Sequence, residues 1–220
     1  MNAGCIQDDF FGMAMELVEN ALGDGATVLM TPGSEGDQDP TAIIRLGGPR
    51  DVAYAKKLGI RLAGYLQIAL ADAEMHDLFG VGTGHEECDL PIRDDWKAAG
   101  AQSEREELRD YARTGVMPSE VTALAVGEYA MVGIPAEIFT TPARRVREHS
   151  PFKYTSVMGV TNGNALYVAE SEAFFEGSMI YGVVPGKWMI VAKGSDRVLS
   201  EAGIRALRQA RTAQVETAER

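Results

Sequence analysis

The sequence predicts an α/β protein, a layered sheet with flanking helices, with a mixed α+β arrangement as the alternative. Three observations carry this. Stretches with apolar residues at helical spacing alternate with short apolar runs bounded by turn formers. One such run, Ala26–Met30, ends in a loop of glycines, prolines and acids, Pro32–Pro40, and α/β proteins place ligands at such strand ends. Hydrophobic residues make up 45% of the 220, enough for a packed core.

In chain order, residues 8–23 predict an amphipathic helix capped by Asp8 or Asp9, with Phe10, Met13, Leu17 and Leu22 at helical spacing and Gly23 as terminator. Ala26–Met30 predicts a fully buried strand. A long helix is expected from Pro49 to Met75, with an apolar stripe of Ala55, Leu58, Leu62, Leu66, Ala69 and Ala73. Residues 77–118 lose periodicity and predict a surface excursion, with a short strand around Glu87–Arg93 and a charged helix over Ser103–Arg113. Val121–Ile134 returns to strand character, turning at Gly127. A helix over Pro142–Glu148 follows the hydroxyl caps Thr140 and Thr141, and Pro151 stops it. Tyr154–Val160 and Ala165–Ala169 predict a strand pair joined as a hairpin through Thr161-Asn162-Gly163-Asn164. A final helix covers residues 195–213, opened by Ser195 or Asp196. The whole, 1–220, is expected to be one domain or a half-domain.

The net charge of −11 argues against nucleic acid, which needs a basic face. No run approaches the ~20 apolar residues of a membrane-spanning helix. Two cysteines without a CxxC pair and an N-terminus without the pattern of an export signal leave the cytoplasm as the expected location. His85-Glu86-Glu87-Cys88 resembles a metal cluster, yet neighbours on an extended chain face opposite ways, so the run does not converge on one ion. Pro32–Pro40 has glycines that suit an anion, but it lacks a GK[ST] and its acids Glu35, Asp37 and Asp39 would repel phosphate. Glu137, after an apolar strand and a proline, reads equally as a helix-entry group or a functional carboxylate. Tyr167 by itself reads as a core tyrosine.

Three pieces in this order resemble the neutral/alkaline non-lysosomal ceramidase family. They are Asp9-Phe10-Phe11-Gly12 followed by VLMTPGSEGDQDP, with its Gly-Asp-x-x-Pro loop; GIPAEIFTTPARRVREHSPF; and GVTNGNALYVAESEAFFEGS. The resemblance covers about residues 8–182, the second half of the family's catalytic domain. It implies a zinc-dependent hydrolase of an amide or lactam, in which zinc activates water for attack on the carbonyl. Carried over residue by residue, Glu137 and Tyr167 become metal ligands. Asp37, Asp39 and Asn162 become the polar groups of the catalytic site, and Gly36 and Phe175 line the substrate pocket. Carboxylate oxygen is an ordinary zinc ligand, and a cation favours an ionised phenol.

The departures are specific. Asp39 stands where the family has serine or asparagine, Phe175 replaces a tyrosine, and Asn164 replaces another. His76, His85 and His149 match none of the family's ligand positions. The resemblance therefore implies that two metal-binding histidines come from a second protein chain. The competing expectations are a structural or regulatory subunit that keeps the fold without the chemistry, and a self-sufficient enzyme using His85 and Glu86.

Overall fold

The structure, a computed structural model, describes residues 8–39, 51–75, 79–173 and 189–218. It divides into two compact units, Met1–Thr31 with Asp39–Asp77, and Pro32–Gln38 with Leu78–Arg220.

The first unit is a helix pair, α1 (Asp9–Leu22) and α2 (Val52–Ala71). The apolar stripes meet as their spacing predicts: Ala14 and Val18 on α1 pack with Ala63 on α2. Gly23, at φ 67°, ends α1, its N–H donating to the Glu19 carbonyl. Asp51 caps α2 by accepting from the Tyr54 amide at 2.8 Å. Ala26–Met30 departs from expectation. It pairs with no strand among the described residues, and its side chains alternate. Val28 and Met30 rest on the helix pair while Leu29 is 87% exposed. An unbroken apolar run thus has a covered face and a wet one, because a helix pair buries only the side turned toward it.

The second unit is built on a four-stranded sheet. Strand β1 (Val81–Pro91) pairs antiparallel with β2 (Val116–Val126), which turns at Gly127 into antiparallel β3 (Tyr129–Gly133). Between β1 and β2 lie two short helices, α3 (Asp94–Gly100) and α4 (Glu106–Thr114). After β3 come a short strand β4 (Glu137–Ile138) and helix α5 (Thr140–Glu148); β5 (Tyr154–Met158) then pairs parallel with β3. A parallel neighbour requires a crossover, and α5 is its helix. Strand β6 (Tyr167–Val168) pairs with β4 in a separate two-stranded sheet. The last helix, α6 (Ser195–Ala218), lies on the sheet and buries Leu199, Ala202, Ala206, Leu207 and Ala210, a stripe at helical spacing. The core beneath it holds Leu90, Val132, Ile134, Val146 and Val157.

Two expectations are corrected here. The stretch 77–118 is no surface excursion, since it opens with the 11-residue strand β1, paired along its whole length. The two strands flanking Asn162 form no hairpin: β5 joins the large sheet and β6 the small one. Between them Val160 (φ 47°) and Asn162 (φ 59°) bend the chain away, and the amides of Val160, Thr161 and Ala165 bond to the carbonyls of Ala136, Ile134 and Pro135. The connection thus ties itself to the segment before β4 rather than folding back on β5.

Candidate metal centre

The β4–β6 pair begins where β3 ends. The Ile134 amide still donates to the Met158 carbonyl at 2.8 Å, and Pro135 then carries the chain out of the large sheet. In β4 the Glu137 amide donates to Leu166 at 3.0 Å, and just beyond it the Phe139 amide donates to Val168 at 3.1 Å. This register sets Glu137 directly opposite Tyr167. Residues opposite one another in a ladder share a face, so the two side chains leave the sheet on the same side. Phe139, two residues on, shares that face and meets the Tyr167 ring edge-on, centroids 6.5 Å apart. Phe139, Ala169, Ala173 and Met189 form the apolar bed for the tyrosine.

The other edge of β4 is taken by the Pro32–Gln38 segment. The Gly36 amide donates to the Ile138 carbonyl at 3.1 Å, and a Cβ at Gly36 would collide with the Glu137 carbonyl and the Phe139 ring. The loop therefore lies flush against β4 only because residue 36 is glycine. Next to it, Asp37 Oδ1 accepts from the Thr140 amide at 2.9 Å and from its hydroxyl at 2.7 Å. The start of α5 is thus capped from a distant loop. The residue at the cap position itself, Phe139, has no side-chain hydrogen bond, so the expected threonine cap is replaced by Asp37.

By sequence alone Glu35 is only an acid that repels phosphate. In the fold its carboxylate is sealed from solvent, and neither oxygen has a hydrogen-bond partner in another residue. It lies on Gly159, whose missing side chain leaves the space. The Gly159 amide donates to the carbonyls of Pro32 and Gly33, at 3.3 and 3.1 Å. Burial pushes the Glu35 carboxyl up from its ordinary range, its own backbone N–H opposes this, and the charge of Glu137 adds to the rise. No sequence pattern announces this carboxylate, because what buries it is a glycine 124 positions away (159 − 35).

The remaining expected site residues are scattered. Asn162, at φ 59°, lines an open cavity of about 820 Å³. Pro135, Leu166, Trp96 and Tyr111 also line it, while Glu137 and Tyr167 do not. Asn164 accepts from the Leu166 amide at 2.7 Å, fixing the turn before β6. Asp39 is exposed and belongs to the other compact unit. Phe175 and His76 lie outside the described residues. The run at His85 divides as strand alternation dictates. His85 approaches Glu120 at 3.3 Å on one face, while Glu86 takes Arg205 at 2.6 Å and Gln209 at 2.5 Å on the other. Among the described residues, no three of the types His, Cys, Asp and Glu come together as a metal cluster. The register of β4 and β6 does place Glu137 opposite Tyr167.

The fold is similar to that of solved ceramidases. The chain superimposes on the neutral ceramidase of Pseudomonas aeruginosa with TM-score 0.69 and 17% identity, covering 94% of this chain and 41% of that one. It superimposes on a ceramidase complexed with C2 with TM-score 0.70 and 15% identity, covering 97% of this chain and 44% of that one. The fold is thus a partial ceramidase fold, and the chain spans about two fifths of the solved ceramidases. No protein-family model and no curated protein sequence matches it. Among the described residues no helix is long and apolar enough to cross a membrane.

Proposed function

We propose that this chain supplies the carboxylate–phenol side of a zinc-dependent amide hydrolase. The observation that carries the reading is the register of β4 and β6, which sets Glu137 against Tyr167 within a ceramidase-like fold. The residues fit a cation: the pair offers two oxygen donors on one face, and a buried, unpartnered carboxylate lies one residue from the glycine that contacts the Glu137 backbone. When bound there, zinc supplies Lewis acidity toward a water and a substrate carbonyl.

The chain's own residues have separable roles. Glu137 and Tyr167 are the ligands. Phe139 and its apolar neighbours hold the tyrosine ring and exclude water from one side of it. Asp37 is a positioning residue, since its bonds to Thr140 fix the start of α5 three residues after Glu137. The remaining ligands, two histidines, come from a second chain in this reading. The substrate class is an amide or lactam of the ceramide type, hydrolysed in the cytoplasm.

The test is release of amine from a short N-acyl amide by the chain together with its histidine-bearing partner. Activity is expected to vanish with a chelator, return with zinc, and fall by about 10²-fold or more in Glu137→Gln, with a smaller loss in Tyr167→Phe. Hydrolysis that survives both the chelator and Glu137→Gln rejects the reading.

A further inference from the structure

The open cavity beside Asn162 has no task in the roles above. Its volume of about 820 Å³ falls in the range of small-molecule sites, roughly 300–1,000 Å³. It belongs wholly to the second unit, and neither Glu137 nor Tyr167 lines it. One wall is acidic. Glu87 of β1 stands directly opposite Glu120 of β2, and Asp89, two positions along, shares their face. Like charges opposed in a ladder destabilise the strand pair. His85 approaches Glu120 at 3.3 Å, whereas Glu87 and Asp89 have no hydrogen-bond or ion-pair partner among the described residues. Arg105, the one basic side chain among the described residues that line the cavity, is bonded to Glu107. Four carboxylates thus face one guanidinium, an excess of three (4 − 1). The opposing surface is apolar and aromatic, with Trp96 from α3 and Leu108 and Tyr111 from α4. Trp96 is 6% exposed, and its six-membered ring fills the space where a Cβ on Gly100 would stand. Its indole N–H, however, has no partner among the described residues and is not sealed from solvent. A buried tryptophan ordinarily pairs that donor, so the unpaired N–H is the part of Trp96 left open to the cavity it lines.

We propose that this cavity is a ligand site separate from the candidate metal centre, and that it binds a small organic ammonium ion with an apolar body. Carboxylates beside low-dielectric walls attract a cation more strongly than the same carboxylates in open water, and aromatic rings add cation–π attraction. The ammonium lies at Glu87, Asp89 and Glu120, where it offsets the repulsion of the opposed acids. The apolar body lies against Trp96, Leu108 and Tyr111, and the indole N–H is free to orient a polar substituent on it. The site owes nothing to the metal role proposed for Glu137 and Tyr167, and stands or falls without it.

The experiment titrates the purified chain, in EDTA, with hexylammonium, hexanol and hexanoate. The indole N–H proton resonance of Trp96, assigned by its loss in Trp96→Phe, reports binding at the cavity. Hexylammonium is expected to shift it saturably, with an affinity about tenfold or more above that of hexanol, and hexanoate to leave it in place. Glu87→Gln combined with Glu120→Gln is expected to weaken hexylammonium about tenfold or more. Both positions are exposed, and losing two opposed charges is expected to hold or raise the melting temperature. Glu201→Gln, an exposed acid on α6 that does not line the cavity, is expected to bind as wild type does. No shift with hexylammonium, or equal affinity for hexanol, overturns the proposal. So does an equal loss in Glu201→Gln, since the attraction then belongs to the net charge of −11 rather than to the cavity. A lysine-rich peptide that shifts the resonance where hexylammonium does not also overturns it, in favour of a protein partner. The reading of Glu137 and Tyr167 is decided separately, by the chelator and the amine-release assay.

Discussion

Gly36 does more for the candidate centre than any side chain in its loop. Its amide closes a hydrogen bond to Ile138, and the space where its Cβ would stand is occupied by the Glu137 carbonyl and the Phe139 ring. In Gly36→Ala, either the loop lifts or β4 shifts, and overpacking of this kind costs about 1–3 kcal/mol. Gly33, in the same loop, has only the Val157 carbonyl at 4.0 Å from its Cβ position. Thermal unfolding is therefore expected to show Gly36→Ala well below wild type and Gly33→Ala within about 0.5 kcal/mol of it. Equal losses at both positions would mean the close approach at residue 36 carries no energy. The acids around it separate in the same concrete way. Asp37 is occupied as a helix cap, the carboxylate of the half-buried Glu35 is sealed from solvent, and Asp39 is exposed in the other unit. One acidic loop thus holds three carboxylates in three electrostatic settings, and their spacing in the sequence does not reveal which is which.

At the scale of elements, β1 shows where pattern reading fails. Its inward positions are Gly82, Gly84, Glu86, Cys88 and Leu90, and two of the five carry no side chain. Alternation of hydrophobicity is therefore nearly silent, although the strand pairs over 11 residues. The glycines are there because α6 rides on them: a Cβ at Gly82 would strike the Ala210 carbonyl, and one at Gly84 the Ala206 carbonyl. Backbone carbonyls of a packed helix cannot step aside as a flexible side chain can. Gly84→Ala is accordingly expected to cost about 1–3 kcal/mol in urea unfolding, with Thr83→Ala on the exposed face near neutral. A near-neutral Gly84→Ala would show that α6 is free to lift from the strand. Where the packing surface is made of side chains, the sequence was legible: α1, α2, α5 and α6 all appear near their expected bounds, and the turn at Gly127 is in place. The β4–β6 pair was illegible as a pair, because each strand is two residues long and its partner lies about 30 positions away. Family resemblance points to Glu137 and Tyr167 singly; their register opposite one another is a property of the fold.

On the scale of the second unit as a whole, closure depends on α6 reaching back to the β2–β3 turn. Arg211 makes that joint. Its guanidinium pairs with both oxygens of Glu128 at 2.8 and 2.7 Å, donates to the Pro151 carbonyl at 2.8 Å and lies 4.1 Å from the Phe152 ring centroid. The hydrogen bond from Arg211 holds the Glu128 carboxyl below its usual range, with burial opposing and the arginine charge assisting. A carboxyl whose pKa is lower in the folded state stabilises the fold above its unfolded value, near 4.3, and that contribution disappears as pH falls through the folded value. Glu128 is more than half exposed, so solvent screening keeps the pair at about 0.5 kcal/mol. Arg211→Ala removes the ring stacking and the Pro151 bond as well, and is expected to cost about 1–2 kcal/mol. Urea midpoints at fixed ionic strength provide the check. At pH 7 the expected order of stability is wild type, then Glu128→Gln, then Arg211→Ala. At pH 3 the gap between wild type and Glu128→Gln narrows while that to Arg211→Ala largely remains, because the stacking and the carbonyl bond do not titrate. A Glu128→Gln gap that widens on acidification would reverse the sign of this linkage and place the pH-sensitive contact elsewhere in the unit.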